Sequence, residues 1–274
     1  MLLRDRLQQR LREMGDAPDY ARLAEEVLGL KNVPAALARR LVAQGLVVDD
    51  RQEAWRRAGA RICGSAPQTP GVYRLLDAER CPLYVGKAVN LRRRLRAHFA
   101  PARWRRLSPV MARVDAAEWQ EVGSELESLL VEAQWIADLR PPGNVQVGPP
   151  RLTTRDVPQA RVKDTIALLP SVEPDSVELV AALARGGVLV QRTRRNGRDL
   201  AVHAARLWRF GRGRAASGGA LAAAAPLVFS WLDHRGAAVT RVEYAAVSSA
   251  RDLQRVLATA LAHRDLLGER IVVL

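Results

Sequence analysis

The chain has 274 residues, 48% of them hydrophobic, which suits two or three domains with cores of their own and excludes a disordered chain. No run approaches the roughly 18 apolar residues of a membrane-spanning helix. The N-terminus turns charged at Arg4-Asp5 without the apolar stretch of a secretory signal, and two cysteines supply neither a disulfide framework nor a zinc ligand set.

A cytoplasmic, nucleoid-associated protein with no membrane partner is therefore expected. The formal net charge of +14 favours a polyanionic partner, with nucleic acid the commonest one in a cell.

Residues 1–65 read as helical. Leu2, Leu3, Leu7 and Leu11 recur at helical spacing, further helices are predicted over 20–30 and 34–44, and Leu46-Val47-Val48 suits a short strand. That order fits a small winged-helix module and a plain helical bundle almost equally. Residues 64–71 are a linker by composition. Residues 71–76 and 83–85 then read as two strands of a β-hairpin.

Asn90 is a good N-cap for a helix with the buried stripe Leu91, Leu95 and Phe99. Ser124 and Glu127 form a capping box at the head of a second helix, which Pro141 and Pro142 stop. Residues 150–274 read as a separate α/β unit. Its strands are predicted at 166–169, 188–191, 227–231, 238–242 and 271–274, and its helices at 176–185, 200–210 and 250–267. A Gly-, Ala- and Ser-rich loop covers 211–225. Domains are thus expected at 1–65, 69–146 and 150–274.

Charge is clustered. From Lys87 to Arg113 there are nine basic residues and no acidic one. Arg92, Arg93, Arg96, Arg103, Arg105 and Arg106 belong to this run and are candidate DNA contacts. A second run, Arg185 to Arg214, sets nine arginines against Asp199 and is equally open to a solvated reading. The four histidines have no metal-ligand spacing and read as structural or exposed, and no phosphate-binding loop of the nucleotide-hydrolase type is present.

Pro70-Gly71-Val72-Tyr73, Leu83-Tyr84-Val85-Gly86-Lys87-Ala88 and Asn90-Leu91-Arg92-Arg93-Arg94 stand in that order. The helix from Ser124 to Glu132 and the close Arg140-Pro141-Pro142-Gly143-Asn144 follow. Together they resemble the GIY-YIG nuclease superfamily, in the form found in excinucleases of the UvrC type and their shorter homologues. Two departures are Y-V-G for Y-I-G, and Pro142-Gly143 where the family usually has a larger residue before the Asn.

The resemblance implies an α/β (α+β) chain with a central small antiparallel sheet flanked by helices, between the N-terminal helical module and the C-terminal α/β domain. It implies a metal-dependent endonuclease acting on DNA, in repair by a single incision, with Mg²⁺ or Mn²⁺ as cofactor and repair proteins as further partners. It implies Tyr84 as general base with Lys87 assisting, Tyr73 positioning water or phosphate, Arg94 clamping the phosphate, Glu132 holding the metal, and Asn144 completing the catalytic set.

The residue chemistry agrees with those roles. A phenol, with a pKa near about 10, needs a nearby cation to act as a base. Arg suits bidentate phosphate binding, and Mg²⁺ keeps several waters and takes few protein ligands. Taken singly, each residue has an ordinary structural reading. Two alternatives follow from that: a catalytically silent nucleic-acid-binding module, and a homing or restriction nuclease with its specificity in residues 150–274.

Overall fold

The computed structural model describes residues 3–15, 17–46, 50–100, 108–145, 157–213, 219–235 and 239–262. Two compact units divide at Ala54/Trp55.

The first unit holds α1 (Leu3–Met14), α2 (Tyr20–Leu28) and α3 (Ala35–Leu46) around Leu7, Leu23 and Val42. The Asp19 side chain caps α2 by accepting from the amides of Ala21 and Arg22, and Gly29 closes the helix in the left-handed region. The strand expected at 46–48 is not found at Leu46, which ends α3; residues 47 and 48 lie outside the described residues.

The second unit begins within α4 (Asp50–Ser65), ten or so residues before the expected boundary. The reason is burial. Trp55, Ala58 and Ile62 are almost wholly covered, and Ile62 joins a core with Tyr73, Leu75, Leu83, Leu91 and Leu95.

The expected hairpin is present as β1 (Gly71–Leu76) and β2 (Pro82–Ala88), antiparallel with Tyr73 opposite Gly86. The expected helix follows as α5 (Leu91–His98), with the Asn90 side chain accepting from the Arg93 amide. A third strand, β3 (Ala116–Glu121), was not anticipated and pairs on the other side of β1, giving the order β2-β1-β3.

Helix α6 (Glu125–Leu139) opens at Ser124, whose hydroxyl accepts from the Glu127 amide, while the Glu127 carboxylate accepts from Gly123. Strand alternation sends Tyr73 and Leu75 toward α5, and Val72 and Val85 toward Val131, Trp135 and Ile136 of α6. A short turn of helix, α7 (Pro142–Val145), ends this region.

Among the described residues the C-terminal part differs from expectation in two elements, and the strand expected at 271–274 lies outside the described residues. Strands β4 (Thr165–Pro170), β5 (Ser176–Ala182), β6 (Val188–Arg194) and β7 (Arg241–Glu243) form an antiparallel sheet of order β6-β5-β4-β7. The segment expected as a helix from 176 is β5, buried on both faces, and the segment expected as a strand at 227–231 lies in α9 (Ala225–His234). Short apolar runs buried on all sides carry no usable period. Helices α8 (Leu200–Gly211) and α10 (Ala250–Ala262) fall where expected and cover one sheet face.

The other face is covered by α9 and by α6, whose Leu126 and Leu130 share a core with Ala167, Leu169, Val180 and Trp231. Residues 150–274 are therefore not a separate unit. Because α6 is apolar on two sides, it is held between two sheets.

Candidate active site

The site lies where the α5 and α6 layers meet along β2. Tyr73 is fully buried, and Gly86 opposite it makes room: a Cβ there would stand 2.8 Å from the Tyr73 hydroxyl and 2.8 Å from the Tyr84 ring. The Tyr73 and Tyr84 ring centroids are 6.1 Å apart, and the His98 ring meets each of them edge-on at 5.7 Å.

The Tyr73 hydroxyl is 2.6 Å from His98 Nε2. Burial first, then the Tyr84 neighbour, push the Tyr73 phenol well above its ordinary range against the opposing pull of Arg94. It therefore keeps its proton at neutral pH. The Arg94 guanidinium donates to the Tyr73 oxygen, and the Tyr73 hydroxyl and His98 Nε2 share a hydrogen bond. Arg94 also contacts Tyr84 and is itself raised, chiefly by Tyr73.

On the α6 side, burial raises the Glu132 carboxyl, while the Lys87 ammonium, the Lys87 backbone amide and Arg94 pull it back down. Lys87 thus lies against Glu132. The cation contacting the two phenols is Arg94, not Lys87 as expected, because a three-residue step along a strand puts Tyr84 and Lys87 on opposite faces.

Asn144 is placed differently from a reacting group. Its Oδ1 accepts from the Val85 amide at 2.8 Å and its Nδ2 donates to the Val85 carbonyl at 2.9 Å, so it pins β2 beside Tyr84. The departure at Gly143 has a cause here: a Cβ would stand 2.6 Å from the Leu83 carbonyl oxygen.

Of the expected DNA contacts, Arg93 and Arg96 are exposed on α5. Arg92 instead donates to the Ala66 carbonyl at 2.6 Å and ties α5 to the preceding linker. Arg103, Arg105 and Arg106 lie outside the described residues.

His98 joins the site although histidine spacing alone marks it as structural or exposed. The signal available was its position one turn after Arg94, the same face of a helix already assigned to the site.

Among the described residues no group of three or more His, Cys, Asp and Glu is placed to hold a metal ion, so Glu132 is a single carboxylate. That fits Mg²⁺, which is commonly bound through one carboxylate with the remaining positions filled by water and substrate phosphate.

Two tyrosines from adjacent strands, an arginine one helix away and a lone glutamate on the next helix define a GIY-YIG domain. A family model described as the UvrC-like GIY-YIG domain matches residues 69–145. UvrABC system protein C of Paenarthrobacter aurescens is 51% identical over 86 residues, 30% of this chain and 12% of that protein. The protein of the same name from Nitrobacter winogradskyi is 46% identical over 83 residues, again 30% and 12%. The chain thus matches only 12% of the length of these relatives.

The magnesium-bound GIY-YIG N-terminal endonuclease domain of UvrC from Thermotoga maritima is 28% identical, with a TM-score of 0.26 over 36% of this chain and 99% of that one. Residues 69–145 are a UvrC-like GIY-YIG domain. No helix among the described residues is long and apolar enough to cross a membrane.

Proposed function

We propose that this protein is a metal-dependent endonuclease that hydrolyses DNA phosphodiester bonds, making a single incision in DNA repair. The observation that carries the reading is the linked run from His98 through Tyr73 to Arg94, meeting Glu132 and Lys87 across β2. Arg94 holds the scissile phosphate and stabilises the charge it gains in the transition state. Tyr84, half-buried and in contact with Arg94, takes the proton of the attacking water. Tyr73 stays protonated and holds Arg94 and His98 in place. Asn144 is a positioning residue acting through β2.

Glu132, with water, would hold Mg²⁺, whose chemistry is to neutralise developing charge and assist the leaving oxygen. Two cations beside this carboxylate oppose a bare dication and favour one that arrives with phosphate. The relatives' name, UvrABC system protein C, supports repair proteins as partners.

The test is nicking of supercoiled plasmid and of lesion-bearing duplex with Mg²⁺, with Mn²⁺ and with a chelator. Metal-dependent nicks are expected. Tight duplex binding with no cleavage in any metal would replace this reading with the silent binding module.

A further inference from the structure

The second arginine run has one part that the site does not use. In β6, Arg192 is enclosed by carboxylates, with Nη2 3.3 Å from Glu127 and 3.0 Å from Glu178, and Nη1 3.4 Å from Glu173. Arg194, at the end of β6, and Arg195 and Arg198, in the turn that follows, are exposed and make no ion pair among the described residues.

The nearest acid in the chain, Asp199, is already engaged. It accepts from Thr193 Oγ1 at 2.7 Å and from the Arg194 amide at 3.1 Å, and it faces His203. The backbone of the turn is tied as well: the Arg195 amide donates to the Asp175 carbonyl at 2.8 Å, and the Arg198 amide to the Asn196 side chain at 3.1 Å. Three like charges are thus held close together on a fixed frame with no counter-charge of their own, an arrangement that repels itself until an anion arrives.

Position selects the anion. The contact from Arg192 to Glu127 joins the turn end of β6 to the first turn of α6. From Glu132 to Arg194 the path runs down α6, across that contact and two residues along β6. It measures at most about 30 Å, which a duplex covers in about nine base pairs.

We propose that the turn carrying Arg194, Arg195 and Arg198 is a second contact for the phosphate backbone of duplex DNA, flanking the phosphate held at Arg94 and Glu132. The proposal rests on the endonuclease reading above. The exposed arginines Arg206 and Arg209 of α8, by contrast, lie on the helix layer across the sheet from α6.

The experiment compares the full chain, as wild type, with the triple variant R194A/R195A/R198A. The controls are a lysine triple at the same positions and the charge-matched triple R206A/R209A/R251A. Duplex affinity is measured against salt concentration, and single-turnover cleavage at saturating protein. The turn triple is expected to lower the log–log salt slope by about 2–3, close to 0.9 for each phosphate no longer neutralised. Its cleavage rate at saturation should be retained. The lysine triple should keep the slope.

An unchanged slope in the turn triple, or an equal drop in the charge-matched triple, overturns the proposal while wild-type cleavage leaves the endonuclease reading standing. A wild type that neither binds nor cuts duplex overturns both. A wild type that binds duplex but never cuts it overturns the endonuclease reading, and with it the flanking of a scissile phosphate, while a slope drop confined to the turn triple keeps the turn as a duplex contact.

Discussion

Helix α6 carries Glu127 and Glu132 less than two turns apart, and their surroundings are opposite. Glu127 is 5% exposed and fully engaged: the Gly123 amide donates to one oxygen at 2.6 Å and Arg192 approaches the other at 3.3 Å. Beside it, Glu178 is pushed well above the ordinary carboxylate range, by burial first and then by Glu127. That cluster closes the seam between the two sheets, where Glu127, Glu178 and Arg192 line a cavity with their charges already set against one another. Glu132 is also raised by burial, but the cations around it are Lys87 and Arg94, and Arg94 also meets the two phenols of the candidate site. Burial perturbs both carboxylates. What separates a structural carboxylate from a functional one is whether its partners are used up within the fold.

Substitutions can break that contrast, and the largest effect belongs to Glu132. Glu132→Gln should lower single-turnover cleavage by about 10²–10³-fold or more while leaving duplex affinity nearly unchanged. Its folded pKa is raised, so the ionised form costs stability once the pH exceeds that value. The variant should therefore melt slightly above wild type near neutral pH. Cleavage at the wild-type rate would remove Glu132 from the site.

Arg94→Ala should lose about 10²-fold in rate, because Arg94 meets its phosphate most strongly in the transition state. Arg93→Ala, exposed on the same helix, should lose a little affinity and almost no rate. Equal losses in the two variants would mean that α5 only binds.

At the seam the order reverses. Arg192→Ala leaves two buried carboxylates without their cation and should cost about 2–3 kcal/mol in urea unfolding, below the fully buried range because Arg192 is partly exposed. The cleavage rate per folded molecule should hold. A rate loss without a stability loss would show that the seam belongs to the site.

The smallest effect concerns pH. A carboxyl with a raised folded pKa contributes stability that is present below its unfolded pKa and is lost as pH rises through the folded value. Wild type should therefore lose stability as pH rises from the ordinary carboxylate range to about 8, and Glu178→Gln, which cannot ionise, should lose less. Urea midpoints measured from about pH 4.5 to about pH 8 would show the two curves separating as pH rises, and parallel curves over that window would count against the buried-carboxyl account.

Much of the GIY-YIG domain was legible in the sequence because its signals are local. The N-caps Asn90 and Ser124, the stripe Leu91 and Leu95, the paired strand tyrosines and the stop at Pro141 each act within a few residues. The boundary at 65 was not legible, because it depended on Ile62 finding a core made by residues as far along the chain as Val114.

Strand β3 was missed because it is an edge strand of mixed polarity, Ala-Ala-Glu-Trp-Gln-Glu, held by its pairing with β1 more than by any period of its own. β5 and α9 were exchanged because a short, mostly apolar run of seven to ten residues suits either state, and long-range packing chooses. His98 and Asn144 show the same division at the site. Sequence placed both in the right segments, but only the folded chain aims one at the Tyr73 hydroxyl and the other at the Val85 backbone.

The sequence by itself therefore determined the candidate site residues and most of the elements that carry them, since caps, periods and motif order are short-range. The tertiary structure alone decided which cation meets which acid: Arg94 at the phenols, Lys87 at Glu132 and Arg192 at the seam. Those pairings join residues on different strands and helices, and no spacing along the chain encodes the distance between them.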